Sequence, residues 1–157
     1  DGRAELLKIL CDLGYSLFIA GPLWPKWLIR YMENRSSKCI LKPFPLDYRE
    51  YLSNLSTGKV ILGFTSKDNR DLYTRRYFEA PLANSIFLAR DSVLYRELSS
   101  DLNNIYFYKN HLPNVEDCIN SLRLANTHLT QSDEKINHFY KKNSPLARAS
   151  LFAPIFY

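Results

Sequence analysis

The sequence predicts an α/β fold in which a mainly parallel sheet carries helices on both faces. Two observations lead to this prediction. Short apolar runs alternate along the chain with amphipathic stretches of about ten residues, and the run KVILGFT at 59–65 is almost continuously apolar. A continuous apolar run is typical of a parallel strand that is buried on both faces. The chain has 157 residues, enough for one domain that buries roughly two thirds of its unfolded surface.

After an initial helix, strands and helices follow one another. Leucines at helical spacing and a following Gly14 predict the first helix at 3–14, and Pro113 stands where a first helical turn accepts proline. The further predicted helices cover 25–34, 46–56, 72–84, 93–98, 113–125 and 132–142. The predicted strands cover 16–21, 38–44, 59–65, 85–90 and 104–109. Strands joined by helical crossovers are parallel, which is why a mainly parallel sheet is expected.

The composition is that of a globular domain. Hydrophobic residues make up 46% of the chain, and the net charge is +5 from 21 Lys and Arg against 16 Asp and Glu. No run of four or more basic residues occurs, so nucleic acid is not expected as a partner. No apolar run approaches the ~20 residues that span a bilayer. We therefore expect no transmembrane segment and a cytoplasmic location.

The cysteines and histidines predict no reactive or metal-binding site. Cys11, Cys39 and Cys118 are odd in number and widely spaced, without a CxxC pair. We expect them to be buried thiols, a usage that suits a reducing compartment. The three histidines are scattered in polar segments, with no partner in the register of a metal site or a nucleophilic triad.

The segment that follows the strand at 59–65 is the candidate site, because ligands of parallel α/β sheets bind at the carboxyl ends of strands. Thr74, Arg75 and Arg76 lie beside the start of the helix predicted there. The free N–H groups of a helix N-terminus attract an anion, and an arginine adds a bidentate fork that matches phosphate oxygens. These residues predict phosphate binding, and Lys67 in the preceding loop is a further candidate.

Glu79 is the second part of the candidate site. It is followed by the apolar residues Ala80–Ala83 and so interrupts an apolar face, where a carboxylate needs a partner. An acid beyond a phosphate site suits the vicinal hydroxyls of a ribose. An ordinary structural role stays open, because Asp71, Arg75 and Glu79 follow one another at four-residue steps, the spacing of surface ion pairs on a helix.

The run RDLYTRRYFEAPLANSIFLARDS at 70–92 resembles the signature of CgeB-like glycosyltransferases, in which an Asp, a Thr, an Arg and an aromatic–Glu pair precede a small-residue segment and a strand. More widely, it is similar to the paired-acid motif of GT-B retaining glycosyltransferases (glycosyl transferases group 1). Asp71 stands in the first place of that motif and Glu79 in the second. GRAELLKIL, IAGPLW and DYREYLSN resemble further parts of the family's C-terminal domain, so the likeness covers nearly the whole chain.

This resemblance implies a Rossmann-like domain, the donor-binding half of an enzyme that transfers a sugar from a nucleotide diphosphate to an unknown acceptor. The second acid would bind the ribose and the arginines the diphosphate, with no metal and no further cofactor. The expected nucleotide-sugar-binding residues are Asp71, Thr74, Arg75, Arg76 and Glu79. The domain would cover 1–142, and the tail at 143–157 would pack on a missing N-terminal domain, without which the chain is expected to be inactive.

Two further points complete the expectations. Gly21 ends the strand predicted at 16–21, Trp24 follows it, and both border the same edge of the sheet. Gly21 therefore joins the nucleotide-sugar candidates, whereas Trp24 is equally expected in the core. The alternative function is a non-catalytic Rossmann-like module that uses this surface for a partner or for regulation. An unrelated flavodoxin-like or receiver domain would require an acidic cluster at the strand ends, which the sequence does not place there.

Overall fold

A computed structural model describes residues 2–35, 38–65, 76–83, 85–127 and 132–144. The helices are α1 (Arg3–Asp12), α2 (Lys26–Glu33), α3 (Tyr48–Thr57), α4 (Arg76–Glu79), α5 (Val93–Leu98), α6 (Val115–Thr127) and α7 (Asp133–Asn143). A 3-10 turn at Ala80–Ala83 follows α4 directly. The strands are β1 (Leu17–Ala20), β2 (Cys39–Lys42), β3 (Val60–Leu62), β4 (Ile86–Arg90) and β5 (Ile105–Tyr108). The predicted alternation of strands and helices is confirmed in the part of the chain that the structure describes.

Short polar side chains determine where several helices begin. The side chains of Asp47 and Ser92 each accept the backbone N–H three residues further on, at 2.8 and 3.1 Å. Asn114 and Asp117 cap α6 reciprocally, since the side chain of each accepts the N–H of the other at 2.8 and 2.9 Å. Helix α6 therefore begins after Asn114 and not at Pro113, where it was expected.

All strand pairs are parallel, as predicted, but they form two sheets where one was expected. In the first sheet β1 pairs with β2, and Leu17 lies opposite Cys39. In the second, β4 lies between β3 and β5, and Leu88 lies opposite both Leu62 and Tyr106. Strands β1 and β3 are not paired with each other. Each sheet is parallel within itself, and the division between them lies at the edges of β1 and β3.

Helices cover both faces of the second sheet. Phe87 and Ala89 of β4 pack in one cluster with residues of α3, α4 and α5. Leu88, between them in sequence, packs in another cluster with residues of α1 and α6. Because successive side chains of a strand point to opposite faces, these two clusters lie on opposite sides of the sheet. The α/β prediction with parallel strands and helices on both faces is thus confirmed.

The strand at 59–65 differs from its prediction in burial. It was expected to be buried on both faces, yet Val60, Ile61 and Leu62 are only half-buried. The fully buried strand is β4, where Phe87 and Leu88 are each 0% exposed. The physical reason is that β4 is hydrogen-bonded to a strand on each side, whereas β3 is hydrogen-bonded, among the described strands, to β4 alone.

A disulfide corrects the expectation of three thiols. Cys11 at the end of α1 and Cys39 at the start of β2 are bonded, with Cα atoms 6.5 Å apart. Their separation of 28 residues hid this proximity in the sequence. Cys118 is free and buried, as expected. Disulfides are rare in cytosolic proteins, so this bond argues against the predicted cytoplasmic location, which stays a prediction. In the described ranges, no helix combines the length and the apolarity that a membrane crossing requires.

Candidate functional site

The structure places two of the predicted phosphate- and ribose-binding residues, Arg76 and Glu79, at the two ends of α4. Lys67, Asp71, Thr74 and Arg75 lie outside the described residues. The helix predicted at 72–84 is not a continuous α-helix at its C-terminal end, because the chain tightens into the 3-10 turn from Ala80 onward. Pro81 lies in that turn and offers no N–H for an α-helical hydrogen bond.

Glu79 has the partner that its place in the sequence required. The hydroxyl of Tyr51 on α3 donates to Glu79 Oε2 at 2.7 Å, across 28 residues of chain. Both side chains are half-buried. Burial of the phenol raises the pKa of Tyr51 to about 12, and the hydrogen bond to the Glu79 carboxylate adds to this. The phenol is therefore a neutral donor at physiological pH and holds one carboxylate oxygen in place.

Arg76 meets the same tyrosine. Its guanidinium interacts with the Tyr51 hydroxyl, which acts to lower the pKa of Tyr51 against the larger effects of burial and Glu79. Arg76 Nη1 also lies 3.4 Å from the carbonyl oxygen of Leu62, the last residue of β3. The side chain is otherwise exposed. A cation and a carboxylate thus converge on one phenol beside the carboxyl end of a parallel strand.

A buried tyrosine fixes the helical turn that carries both charges. Tyr77, between Arg76 and Phe78, is 0% exposed. Its hydroxyl accepts the N–H of Arg90 at 2.9 Å, and its carbonyl accepts the hydroxyl of Tyr95 at 2.7 Å. Burial raises the pKa of both tyrosines. These contacts hold the described turn of α4 against β4 and α5, and so they determine where the two charges stand.

An adjoining cavity of about 850 Å³ opens between the two sheets. Its walls include β1 and β3, and Arg76, Tyr51 and Trp24 also border it. The indole Nε1 of Trp24 is buried and has no hydrogen-bond partner among the described residues. Trp24 was expected in the core or beside the nucleotide, and the structure places it on the wall of this cavity.

Gly21 directly follows β1 and has a φ of 121°, a backbone conformation that residues with a side chain rarely adopt. Its N–H donates to the carbonyls of Lys42 and Phe44 at 3.1 and 3.2 Å. The amide is therefore engaged within the fold, where it holds the turn against the end of β2. A contact between Gly21 and a ligand stays a prediction.

Tyr51 is the functional candidate that the sequence did not reveal. The helical spacing of Tyr48 with Tyr51 and Leu52 predicts packing for these residues, although Tyr48 lies in a segment that in similar glycosyltransferases passes near the base. In the structure the rings of Tyr48 and Tyr51 stack with centroids 6.4 Å apart. The role of Tyr51 depends on α3 and α4 meeting on one face of the sheet, and no local pattern in the sequence reports such a contact.

Comparison of the chain with protein-family models, with curated proteins and with solved structures gave no match. Among the residues that the structure describes, no group of three or more His, Cys, Asp or Glu side chains is arranged to hold a metal ion. The geometry around Tyr51 is therefore the basis for any functional assignment.

Proposed function

We propose that this chain is the nucleotide-sugar-binding domain of a glycosyltransferase. In this proposal Glu79 accepts hydrogen bonds from the ribose hydroxyls and Arg76 stands beside the diphosphate. The observation that carries the proposal is the convergence of these two side chains on Tyr51, next to the carboxyl end of β3. Ligands of parallel α/β sheets bind at that edge. The resemblance of 70–92 to CgeB-like and GT-B glycosyltransferases supports the same assignment.

The chemistry of the three side chains fits the two polar parts of a nucleotide diphosphate. A carboxylate accepts from two vicinal hydroxyls, and an arginine donates to phosphate oxygens in a planar fork. Tyr51 keeps the carboxylate oriented, which lowers the entropy that the site loses when a ligand binds. Charge on the leaving diphosphate would be balanced by Arg76, and Arg75 and Lys67 are the further candidates that the sequence offers for this role.

In the complete enzyme this domain would supply the donor and a second domain the acceptor. Transfer breaks the bond between the anomeric carbon and the diphosphate oxygen and forms a bond from that carbon to an acceptor oxygen or nitrogen. We propose no acceptor and no stereochemical course. The chain at 1–157 should bind nucleotide weakly and should turn over little or no donor.

Binding is the direct test. The chain is titrated with UDP, GDP and ADP, followed by calorimetry and by amide NMR shifts. Glu79→Gln and Arg76→Gln should each weaken binding about 10- to 100-fold, because a hydrogen bond to a charged group contributes about 1.5–3 kcal/mol. Glu116→Gln and Arg123→Gln make the same chemical changes at exposed positions of α6 and should leave the affinity unchanged.

A deoxynucleotide separates the ribose role from a general loss of charge. The nucleotide that binds best is compared with its 2′-deoxy form in the parent chain and in Glu79→Gln. The parent should prefer the ribonucleotide, and the variant should lose that preference. If no nucleotide binds at millimolar concentration, or if Glu79→Gln and Glu116→Gln bind alike, the proposed function is wrong.

A further inference from the structure

Among the residues that the structure describes, no strand pairs with the facing edges of β1 and β3. Along β1 the N–H groups of Leu17 and Gly21 bond to β2, and backbone groups alternate between the two edges of a strand. The N–H and C=O groups of Phe18 and Ala20 therefore point to the opposite edge of β1. No strand among the described residues pairs with that edge.

The same alternation applies to β3. The carbonyl of Lys59 and the N–H of Gly63 bond to β4, so the backbone groups of Val60 and Leu62 point away from β4. They face the cavity of about 850 Å³ that β1 also borders. The guanidinium of Arg76 reaches the Leu62 carbonyl at 3.4 Å. Two rows of strand-forming backbone groups thus line one gap, which we name the strand slot.

Helices close the strand slot from both faces. Leu7 and Leu10 of α1 line the cavity on one side, and Asn54 and Leu55 of α3 line it on the other. The two sheets meet beneath α1, where Leu17 and Leu62 pack against the same cluster of buried residues. A gap that is covered by helices and edged by two strands, each parallel to the partner in its own sheet, has the surroundings of a central strand in a doubly wound sheet.

Burial supports the same conclusion. The apolar run at Val60–Leu62 has the composition of a strand buried on both sides, yet it is half-buried. The adjacent strand β4, which is paired along both edges, is fully buried from Ile86 to Ala89. A neighbour in the strand slot would give β3 the environment that β4 already has, and would bond backbone groups that otherwise lie at an apolar cavity wall.

We propose that the strand slot receives one parallel β-strand that runs directly into α1. With this strand in place, the order β2–β1–slot–β3–β4–β5 becomes the order of a doubly wound dinucleotide-binding sheet, with the added strand first in sequence. The occupant is an apolar, extended segment of the polypeptide that precedes α1. It contributes main-chain hydrogen bonds to both edges and side chains to both helical layers.

The hand of the connections identifies the occupant as the segment before α1. Helices α1 and α2 pack in one cluster, around Ile19 of β1, and so lie on the same face. The step from β1 to β2 through α2 leads away from the slot, and such crossovers are right-handed in about 98% of cases. A strand in the slot that is connected to β1 through α1 would form a second crossover of the same kind. Its helix would lie on the same face as α2, and the connection would lead away from the slot with the same hand.

Hydrogen exchange followed by NMR tests the proposal. In the chain at 1–157, the amides of Phe18, Ala20, Val60 and Leu62 should exchange faster than those of Leu17 and Gly63, which are bonded within the sheets. A designed extension, Val-Val-Ile-Val-Val-Gly-Asn, is then placed before Asp1. It should slow exchange at the four slot amides by about fivefold, because each gains a ladder hydrogen bond worth about 1 kcal/mol.

A matched control replaces the second and fourth residues of the extension with proline, which a strand that is paired along both edges does not tolerate. This control should leave the four amides unprotected. The proposal is overturned if both extensions act alike, or if neither changes exchange at these positions. It is also overturned if the unextended monomer already protects them, which would mean that its own residues fill the slot. Protection that disappears on dilution would identify a second copy as the occupant and would equally overturn it.

Discussion

Replacement of Gly63 by alanine should destabilise the fold, because the position after β3 has no room for a side chain. A Cβ built there would lie 2.4 Å from Cζ and 2.7 Å from Cε2 of Phe87, and 3.1 Å from the carbonyl oxygen of Leu88. Carbon atoms pack at about 3.5–4.0 Å. The φ of Gly63 does not lie in the left-handed region, so the effect comes from packing and not from backbone conformation.

Phe87 has nowhere to move. Its ring is 0% exposed and makes edge-on contacts with Tyr77 and Tyr95, at centroid distances of 5.0 and 6.3 Å. The carbonyl of Gly63 also accepts the hydroxyl of Tyr108 at 2.8 Å, which restrains the backbone on the other side. An added methyl group in a packed core costs about 1–3 kcal/mol. Loss of glycine from the unfolded chain offsets about 0.4–1 kcal/mol of that cost.

The assay is urea unfolding followed by circular dichroism, with Gly58→Ala as the matched control. A Cβ at Gly58 would meet its nearest neighbour at 3.5 Å, which is ordinary contact. The control should therefore be neutral, or stabilising by up to about 1 kcal/mol. Gly63→Ala should lose about 1–2 kcal/mol, which lowers the melting temperature by roughly 2–8 °C for a domain of this size.

A second substitution checks the mechanism. Phe87→Leu removes the ring tip that the new methyl group would strike, so it should cost less in the Gly63→Ala background than in the parent. A coupling of at least about 1 kcal/mol is expected for two residues in contact. Two such free energies of unfolding are distinguishable only when they differ by more than about 0.5 kcal/mol. If Gly63→Ala and Gly58→Ala differ by less than that, or if Gly63→Ala and Phe87→Leu are additive, then β3 and β4 do not approach each other as closely as the structure indicates.

Three further predictions concern the phenol at the site and the cysteines. Tyr51→Phe should cost about 1–2 kcal/mol at pH 8. Because the pKa of Tyr51 is raised in the folded state to about 12 from 10.0, the parent should lose its extra stability over Tyr51→Phe as the pH rises from 10 to 12. Urea unfolding at pH 8, 10 and 11 measures the difference in free energy of unfolding, and a difference that stays constant would contradict the prediction. Replacing Cys11 and Cys39 by serine should lower the free energy of unfolding by about 3–4 kcal/mol, because the disulfide closes a loop between cysteines 28 residues apart. If mass spectrometry finds both cysteines alkylated in the unreduced native protein, the bond is absent. Cys118, whose pKa burial raises to about 12, should react with a thiol reagent at pH 8 only after urea unfolds the chain, and rapid labelling of the native protein would contradict its burial.

The local elements could be predicted because their causes lie within a few residues of each element. Leucines at helical spacing before Gly14 predicted α1, and the polar residues between apolar runs predicted the breaks. The end of α4 was predicted less well. The sequence pattern predicts a helix at 72–84 that continues through Pro81. Proline disfavours an α-helical conformation in the residue before it, which is the signal that this prediction missed.

The candidate site was predictable only in part. The sequence indicated that Glu79 needed a partner, since the apolar residues after it have no polar group to offer. It did not indicate Tyr51, because that contact joins positions 28 residues apart through the packing of α3 on α4. Arg76 illustrates the same limit. Its place beside the Leu62 carbonyl depends on how the chain returns after β3.

By itself, the sequence determined the order of strands and helices, the parallel direction of the strands and the segment in which the charged residues are concentrated. These properties follow from hydrophobic periodicity and from helical crossovers, which act over short stretches of chain. Only the tertiary structure decided that Cys11 lies against Cys39, that Tyr51 orients Glu79, and that β1 and β3 face each other across a slot in which no described strand lies. Such contacts arise where separate elements pack against one another, and their partners are far apart in the sequence.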